Sequence, residues 1–126
     1  MKRDLMLYVE DILESIAKIE EYTSGCSEGD FEDDSQLKDA VNRRLEIIGE
    51  AVKNIPPAKL AEFPQTPWKK IAGTRDVLIH GYFGVTTGRV WEVVKDELPR
   101  LKHDVLMLKE RLNADQKAKK NGEKRG

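Results

Sequence analysis

Within eight residues, Arg75, Asp76, His80 and Tyr82 place a permanent cation, an acid, a proton-transfer group and a phenol. They close the run Trp68-Lys69-Lys70-Ile71-Ala72-Gly73-Thr74-Arg75-Asp76-Val77-Leu78-Ile79-His80-Gly81-Tyr82, which holds one of only two histidines in the chain. A guanidinium grips phosphate in a forked geometry, and an imidazole exchanges protons near neutral pH. The pair suits chemistry on a phosphodiester without a metal. On one helix Asp76 and His80 are four apart and share a face. Arg75 and His80 are five apart, roughly 140° around the axis. Either Arg75 bends toward the histidine, or two copies of the motif meet across a dimer.

Each residue also has a plain structural role open to it. Asp76 and His80 fit a surface pair, His80 suits a helix C-terminus, Arg75 fits an exposed ion pair and Tyr82 the edge of a core. The second histidine, His103, lies off the apolar stripe of its helix and is read as solvent-facing. Lys69 and Lys70 are the candidate phosphate contacts. From Thr66 to Lys95 the charges Lys69, Lys70, Arg75, Arg89 and Lys95 stand against Asp76 and Glu92, a local net of +3 in a chain whose overall charge is −1. Attraction to a nucleic acid would have to come from that patch.

The elements that must position these residues are helical. Leu5, Val9, Ile12, Ile16 and Ile19 form a seam with spacings of four and three, predicting a helix from an Asp4 cap to Thr23, closed by Gly25. Residues 26–34 read as an acidic loop with Phe31 its only aromatic. A second helix is expected from Ser35 as N-cap, with Leu37, Val41, Leu45, Ile48, Val52 and Ile55 on one stripe, stopped by Pro56-Pro57. A short turn is expected over 58–63. Thr66-Pro67 reads as an N-cap and first-turn proline opening the motif helix, with a bend or break at Gly73 and a C-cap at Gly81. A last long helix is expected from Thr87 or Gly88 to Leu112, kinked at Pro99.

The class is all-α: a bundle of three long and one or two short helices, whose narrow seams make completion by homodimerisation a natural solution. Residues 1–112 read as one domain and 113–126 as a basic tail without fixed structure. The single cysteine, Cys26, excludes an internal disulfide and fits a reducing compartment. No apolar run reaches the roughly 18 residues of a membrane span, and Met1-Lys2-Arg3-Asp4 runs directly into the first amphipathic pattern. A soluble, cytoplasmic protein away from membranes is expected.

Arg75-x4-His80-x-Tyr82 resembles the R-x4-H-x-Y signature of HepT-like toxins in the HEPN superfamily. Asn42-Arg43-Arg44-Leu45-Glu46-Ile47-Ile48-Gly49-Glu50-Ala51 is similar to that family's second long helix. Ile55-Pro56, Trp68 to Gly73, Tyr82-Phe83-Gly84-Val85, Val90-Trp91 and Leu98-Pro99 follow its usual run. The resemblance implies an all-helical, HEPN-like dimer with the motif at the subunit interface and a metal-independent endoribonuclease activity on RNA, with no cofactor. It implies Arg75 and His80 as the catalytic pair. It further implies a toxin of a type VII toxin–antitoxin system, whose partner is an MntA-like minimal nucleotidyltransferase antitoxin that silences it by adding AMP to Tyr82. The family usually has a polar residue such as asparagine after the motif arginine. Here Asp76 stands there, and it is expected to orient His80 or Arg75. The competing expectation is a non-catalytic dimeric module that binds a nucleotide or a partner.

Overall fold

The computed structural model describes the backbone of residues 2–79 and 87–125, and the side chains of 5–76, 78 and 87–119. His80, Gly81 and Tyr82 lie outside the described residues, so the cap expected at Gly81 is not addressed by it. Helix α1 spans Lys2–Thr23, starting two residues before the expected cap. Val9, Ile12, Ile16 and Ile19 are buried as the seam predicts. Gly25 ends it at φ 71°, a left-handed conformation that costs glycine little.

The acidic stretch is not a loop. It contains helix α2, Glu28–Asp33. Ser27 Oγ accepts from the Asp30 backbone N–H at 3.1 Å, and the Asp30 carboxylate accepts from the Ser27 N–H at 3.1 Å. This reciprocal cap satisfies two amide donors, and the acids of the first turn complement the helix dipole. The turn of helix inserts Phe31, which is fully buried with its ring 5.3 Å from that of Trp91. The Lys95 ammonium covers the Trp91 ring at 4.7 Å.

Helix α3 spans Ser35–Lys53, but its N-cap is Asp34, whose carboxylate accepts from the Leu37 N–H at 3.0 Å. Ser35 is its first helical residue. Val41, Leu45, Ile48 and Val52 are buried and Leu37 is half-buried. A single turn, α4 (Pro57–Leu60), leads to Phe63. Helix α5 spans Trp68–Ile79. The Trp68 indole N–H reaches the carbonyls of Leu60 and Phe63 at 3.0 and 3.1 Å, anchoring the start of α5. Thr66 does not cap it: its buried hydroxyl donates to Asp104 on the last helix, and the Pro67 carbonyl accepts from the Ile71 N–H at 3.0 Å. Nor does α5 break at Gly73. A glycine keeps both backbone hydrogen-bonding groups, so the ladder closes through it.

The last element is three segments in one path: α6 (Thr87–Glu92), a π-helical turn (Val93–Glu97) and α7 (Leu98–Arg125). The expected kink at Pro99 takes the form of this wide turn. Proline lacks an N–H and its ring would crowd the Lys95 carbonyl. The preceding turn opens so that the Leu98 N–H bonds to Val93, five residues back. Past Leu112, α7 continues helically to Arg125, with residues 113–119 exposed. The stretch expected to lack fixed structure is thus an extension of the helix beyond the packed core.

Helix α3 lies between α1 and α5, and α1 also packs on α7. Lys102 on α7 pairs with Glu20 on α1 at 3.0 Å. Among the described residues every element is helical, and no described helix is long and apolar enough to cross a membrane. The α3–α5 contact sets the position of Arg75. A Cβ built on Gly49 would lie 2.5 Å from the Arg75 Cβ and 3.2 and 3.3 Å from the carbonyl oxygens of Ile71 and Ala72. Only glycine lets the two backbones come this near.

Two substitutions test this architecture. Phe31→Ala should lower unfolding free energy by about 3–5 kcal/mol, as expected for removing a buried ring, read by denaturant melts; a loss below about 1 kcal/mol would place Phe31 outside the core. Gly49→Ala should gain up to about 1 kcal/mol of helix propensity yet be destabilising overall, because overpacking costs about 1–3 kcal/mol. A stabilised Gly49→Ala protein would disprove the close approach.

Candidate active site around Arg75

Arg75 is carried on the face of α5 that meets α3, directly over Gly49. Its Nε forms an ion pair with Glu50 Oε2 at 3.0 Å, and its Nη1 donates to Asp76 Oδ1 at 3.2 Å. Asp76 Oδ1 also accepts from the Lys53 ammonium at 2.7 Å. Glu50 and Lys53 are three apart on α3, so they rise from one face. The four residues form a chain of alternating charge, Glu50–Arg75–Asp76–Lys53, across the helix pair. The Arg75 side chain retains about a third of its exposure (34%), enough to meet a ligand while held by its neighbours. Its Nη2 has no partner among the described residues. Among the described residues, two points of the fork are held.

Asp76 serves Arg75. The hydrogen bonds from Lys53, and then from Arg75, hold its carboxyl below the usual carboxylate range. It is therefore ionised at neutral pH and cannot act as an acid there. The like-charge repulsion of phosphate that Asp76 would otherwise cause is offset locally by two cations. The expected Asp76–His80 contact involves a residue outside the described ones, as do any roles of His80 and Tyr82.

The basic patch is smaller than its composition suggests. Lys70 reaches Glu97 at 2.8 Å, and Glu97 also accepts from Arg89 Nη2 at 3.2 Å, while Arg89 Nη1 is 3.3 Å from Glu92. Burial pushes the Glu97 carboxyl up, but Lys70 and Arg89 outweigh it and hold it low. The acid that binds these cations lies two residues beyond the window from which the +3 was read. Lys95 is committed to the face of Trp91. Lys69 is exposed and has no ion-pair partner among the described residues, so it is the candidate phosphate contact that the fold leaves available. His103 is exposed, as expected, with Nδ1 3.2 Å from Asp104 Oδ1.

Sequence reasoning missed Gly49, Glu50, Lys53 and Glu97. A signal for the first three was present: a glycine inside a strong helical stripe, followed on one face by an acid and, three residues later, a cation. Nothing local in the sequence links them to residues 75 and 76, because the contact spans more than twenty positions.

Comparison with known proteins places this arrangement. The family model described as ribonuclease HepT-like matches residues 12–108. A protein of Methanocaldococcus jannaschii named "gamma-glutamylcyclotransferase and putative RNase" is 47% identical over 121 residues, covering 96% of this chain and 54% of the relative. This chain thus spans about half the length of that relative. A "probable ribonuclease HepT" of Thermococcus cleftensis is 48% identical over 102 residues, 81% of this chain and 93% of the relative. A "putative RNase" of Caldanaerobacter subterraneus is 46% identical over 98 residues, 78% of this chain and 88% of the relative. No solved structure matches. With the family model spanning both the packed helices and the arginine-bearing motif, the chain belongs to the HepT-like family.

Proposed function

We propose that this chain is a metal-independent endoribonuclease, the toxin of a HepT/MntA-like system, acting as a homodimer with the motif of each copy in a shared cleft. The observation that supports this most is Arg75: held at Nε and Nη1, without a partner at Nη2 among the described residues, and partly exposed. A pre-positioned guanidinium is what a phosphoryl transition state needs, because no reorganisation is required as charge develops.

The reaction starts from a nucleophile already in the substrate. The ribose 2′-oxygen forms a bond to its adjacent phosphorus as the bond from phosphorus to the 5′-oxygen of the next nucleotide breaks. The 2′-hydroxyl proton passes to a base, and the leaving 5′-oxygen takes a proton from an acid. The products are a 2′,3′-cyclic phosphate and a free 5′-hydroxyl. His80 supplies the proton transfers; with one motif histidine per chain, a dimer supplies the second. Arg75 neutralises the added negative charge of the phosphorane, and Asp76 and Glu50 hold Arg75. Lys69 contributes attraction to the strand. DNA, lacking the 2′-hydroxyl, is not a substrate.

Regulation follows from the same site. AMP joined to the Tyr82 hydroxyl by a cognate nucleotidyltransferase brings a phosphate and a nucleoside into the cleft. It blocks RNA by bulk and by charge.

The direct measurement is cleavage of RNA in EDTA. Wild type should cut RNA and spare DNA of the same sequence; His80→Ala should abolish cutting, and Arg75→Ala should slow it by about 10²-fold or more. A strict metal requirement would overturn the mechanism, and nucleotide binding with no cleavage by wild type would favour the non-catalytic module. For regulation, co-expression with an MntA-like nucleotidyltransferase should add adenylyl mass by mass spectrometry, lost in Tyr82→Phe. An unmodified tyrosine would remove the AMP proposal.

A further inference from the structure

Beside Arg75, between α1, α3 and α5, lies an open hollow of about 180 Å³. Its lining includes Tyr8, Glu46, Ile47, Glu50, Ala51 and Arg75. Pockets that take a whole drug-sized ligand begin at about 300 Å³, so this one has room for a single flat ring system. Tyr8 is half-buried, Ile47 is half-buried and Ala51 is buried, giving an aromatic and apolar surface of the kind on which an unstacked base packs. Glu46 is the most enclosed of the carboxylates there, its side chain 22% exposed, and among the described residues its Oε2 is bound only by Arg43, which is 70% exposed, at 3.3 Å.

The charges decide what kind of group fits. Asp11, Glu46 and Glu50 face Arg43 and Arg75, so the hollow is negative on balance even though Arg75 borders it. A second phosphate is disfavoured. A neutral base with donors on its edge is favoured. Guanine presents an imino N–H beside an amino group, two adjacent donors that one carboxylate accepts together. Adenine and cytosine present an amino group beside a ring acceptor. Uracil presents one N–H flanked by two carbonyl oxygens, which carboxylates repel.

We propose that this hollow is a nucleobase subsite that selects guanine at the nucleotide whose phosphate Arg75 holds. Glu46 accepts the guanine edge, Tyr8 and Ile47 pack on the ring, and Arg75 spans from the subsite to the scissile phosphate. The choice of ligand rests on the ribonuclease reading. The subsite itself is a property of α1 and α3 and is measurable without turnover.

Two experiments separate the readings. In the first, the four nucleoside 3′-monophosphates are titrated into the full-length His80→Ala protein, with backbone amide shifts as readout. Guanosine 3′-monophosphate should move resonances around Tyr8, Glu46 and Glu50 and bind at least about tenfold more tightly than the uridine form. Glu46→Gln should bring the two within about threefold while leaving the helical circular dichroism unchanged. Equal binding of the four, shifts confined to the Arg75 surface, or stronger shifts from arginine amide than from the guanine nucleotide would each overturn the subsite. In the second, wild type cuts a randomised RNA pool and the ends are sequenced. Guanine should be enriched next to the cut and the enrichment lost in Glu46→Gln; cutting without base bias overturns the subsite alone. Selective guanine binding with no cutting leaves the subsite standing and overturns the nuclease.

Discussion

The close passage of α5 over Gly49 is the constraint on which the site depends. Two helices separated by ordinary side chains sit about 8–10 Å apart, and at that spacing a bridge from one backbone to the next uses the full reach of both partners. Removing one Cβ brings the Arg75 stem against the α3 backbone. From there the guanidinium meets Glu50, the neighbour of the glycine, without stretching. A side chain held by short reach has fewer rotamers to lose when it binds a phosphate, so less of the binding energy goes into ordering it. The remainder of the fold serves this contact. Trp68 fixes the start of α5 through the carbonyls of Leu60 and Phe63, and Glu97 on the π turn ties Lys70, two residues further on, to the last helical path.

The electrostatics follow a consistent plan. The chain is nearly neutral overall, and its cations near the motif are mostly matched by acids. Under the proposed function, long-range attraction of RNA is therefore weak, and affinity would have to come from contact at short range, where the protein walls reduce the dielectric. An arginine bracketed by two carboxylates has part of its charge already answered, which opposes phosphate in the ground state. The phosphorane carries more charge than the phosphate it comes from. In the proposed mechanism a guanidinium therefore gains more from the phosphorane than from the phosphate, and the two carboxylates moderate both interactions.

The long helices were legible because their apolar residues recur at spacings of three and four over many turns, and burying such a stripe has few alternatives. The short elements were not. Helix α2 is hidden under five acids, and what makes it a helix is the reciprocal Ser27–Asp30 cap together with the cavity that Phe31 fills beside Trp91; the second of these is sixty residues away. Thr66 carries the local pattern of a cap, yet a buried hydroxyl bonds whatever acceptor tertiary packing brings near, and here that is Asp104. Gly73 looks like a break because glycine is a poor helix former, but about 1 kcal/mol of propensity is small beside the packing and hydrogen bonds of the surrounding turns.

Residue type and short-range spacing alone determined that this protein is all-helical and where most of its core residues lie, and they marked Arg75 and His80 as the candidates for chemistry on a phosphodiester. These are local facts: periodicity, the steric limits of proline, the charge states of side chains. Tertiary structure decided which acids answer Arg75, which cations of the patch are consumed by Glu97, and that a ring-sized hollow opens beside the arginine. Each of those depends on residues far apart in the chain being brought within hydrogen-bonding reach, and that reach is set by the packing of whole helices.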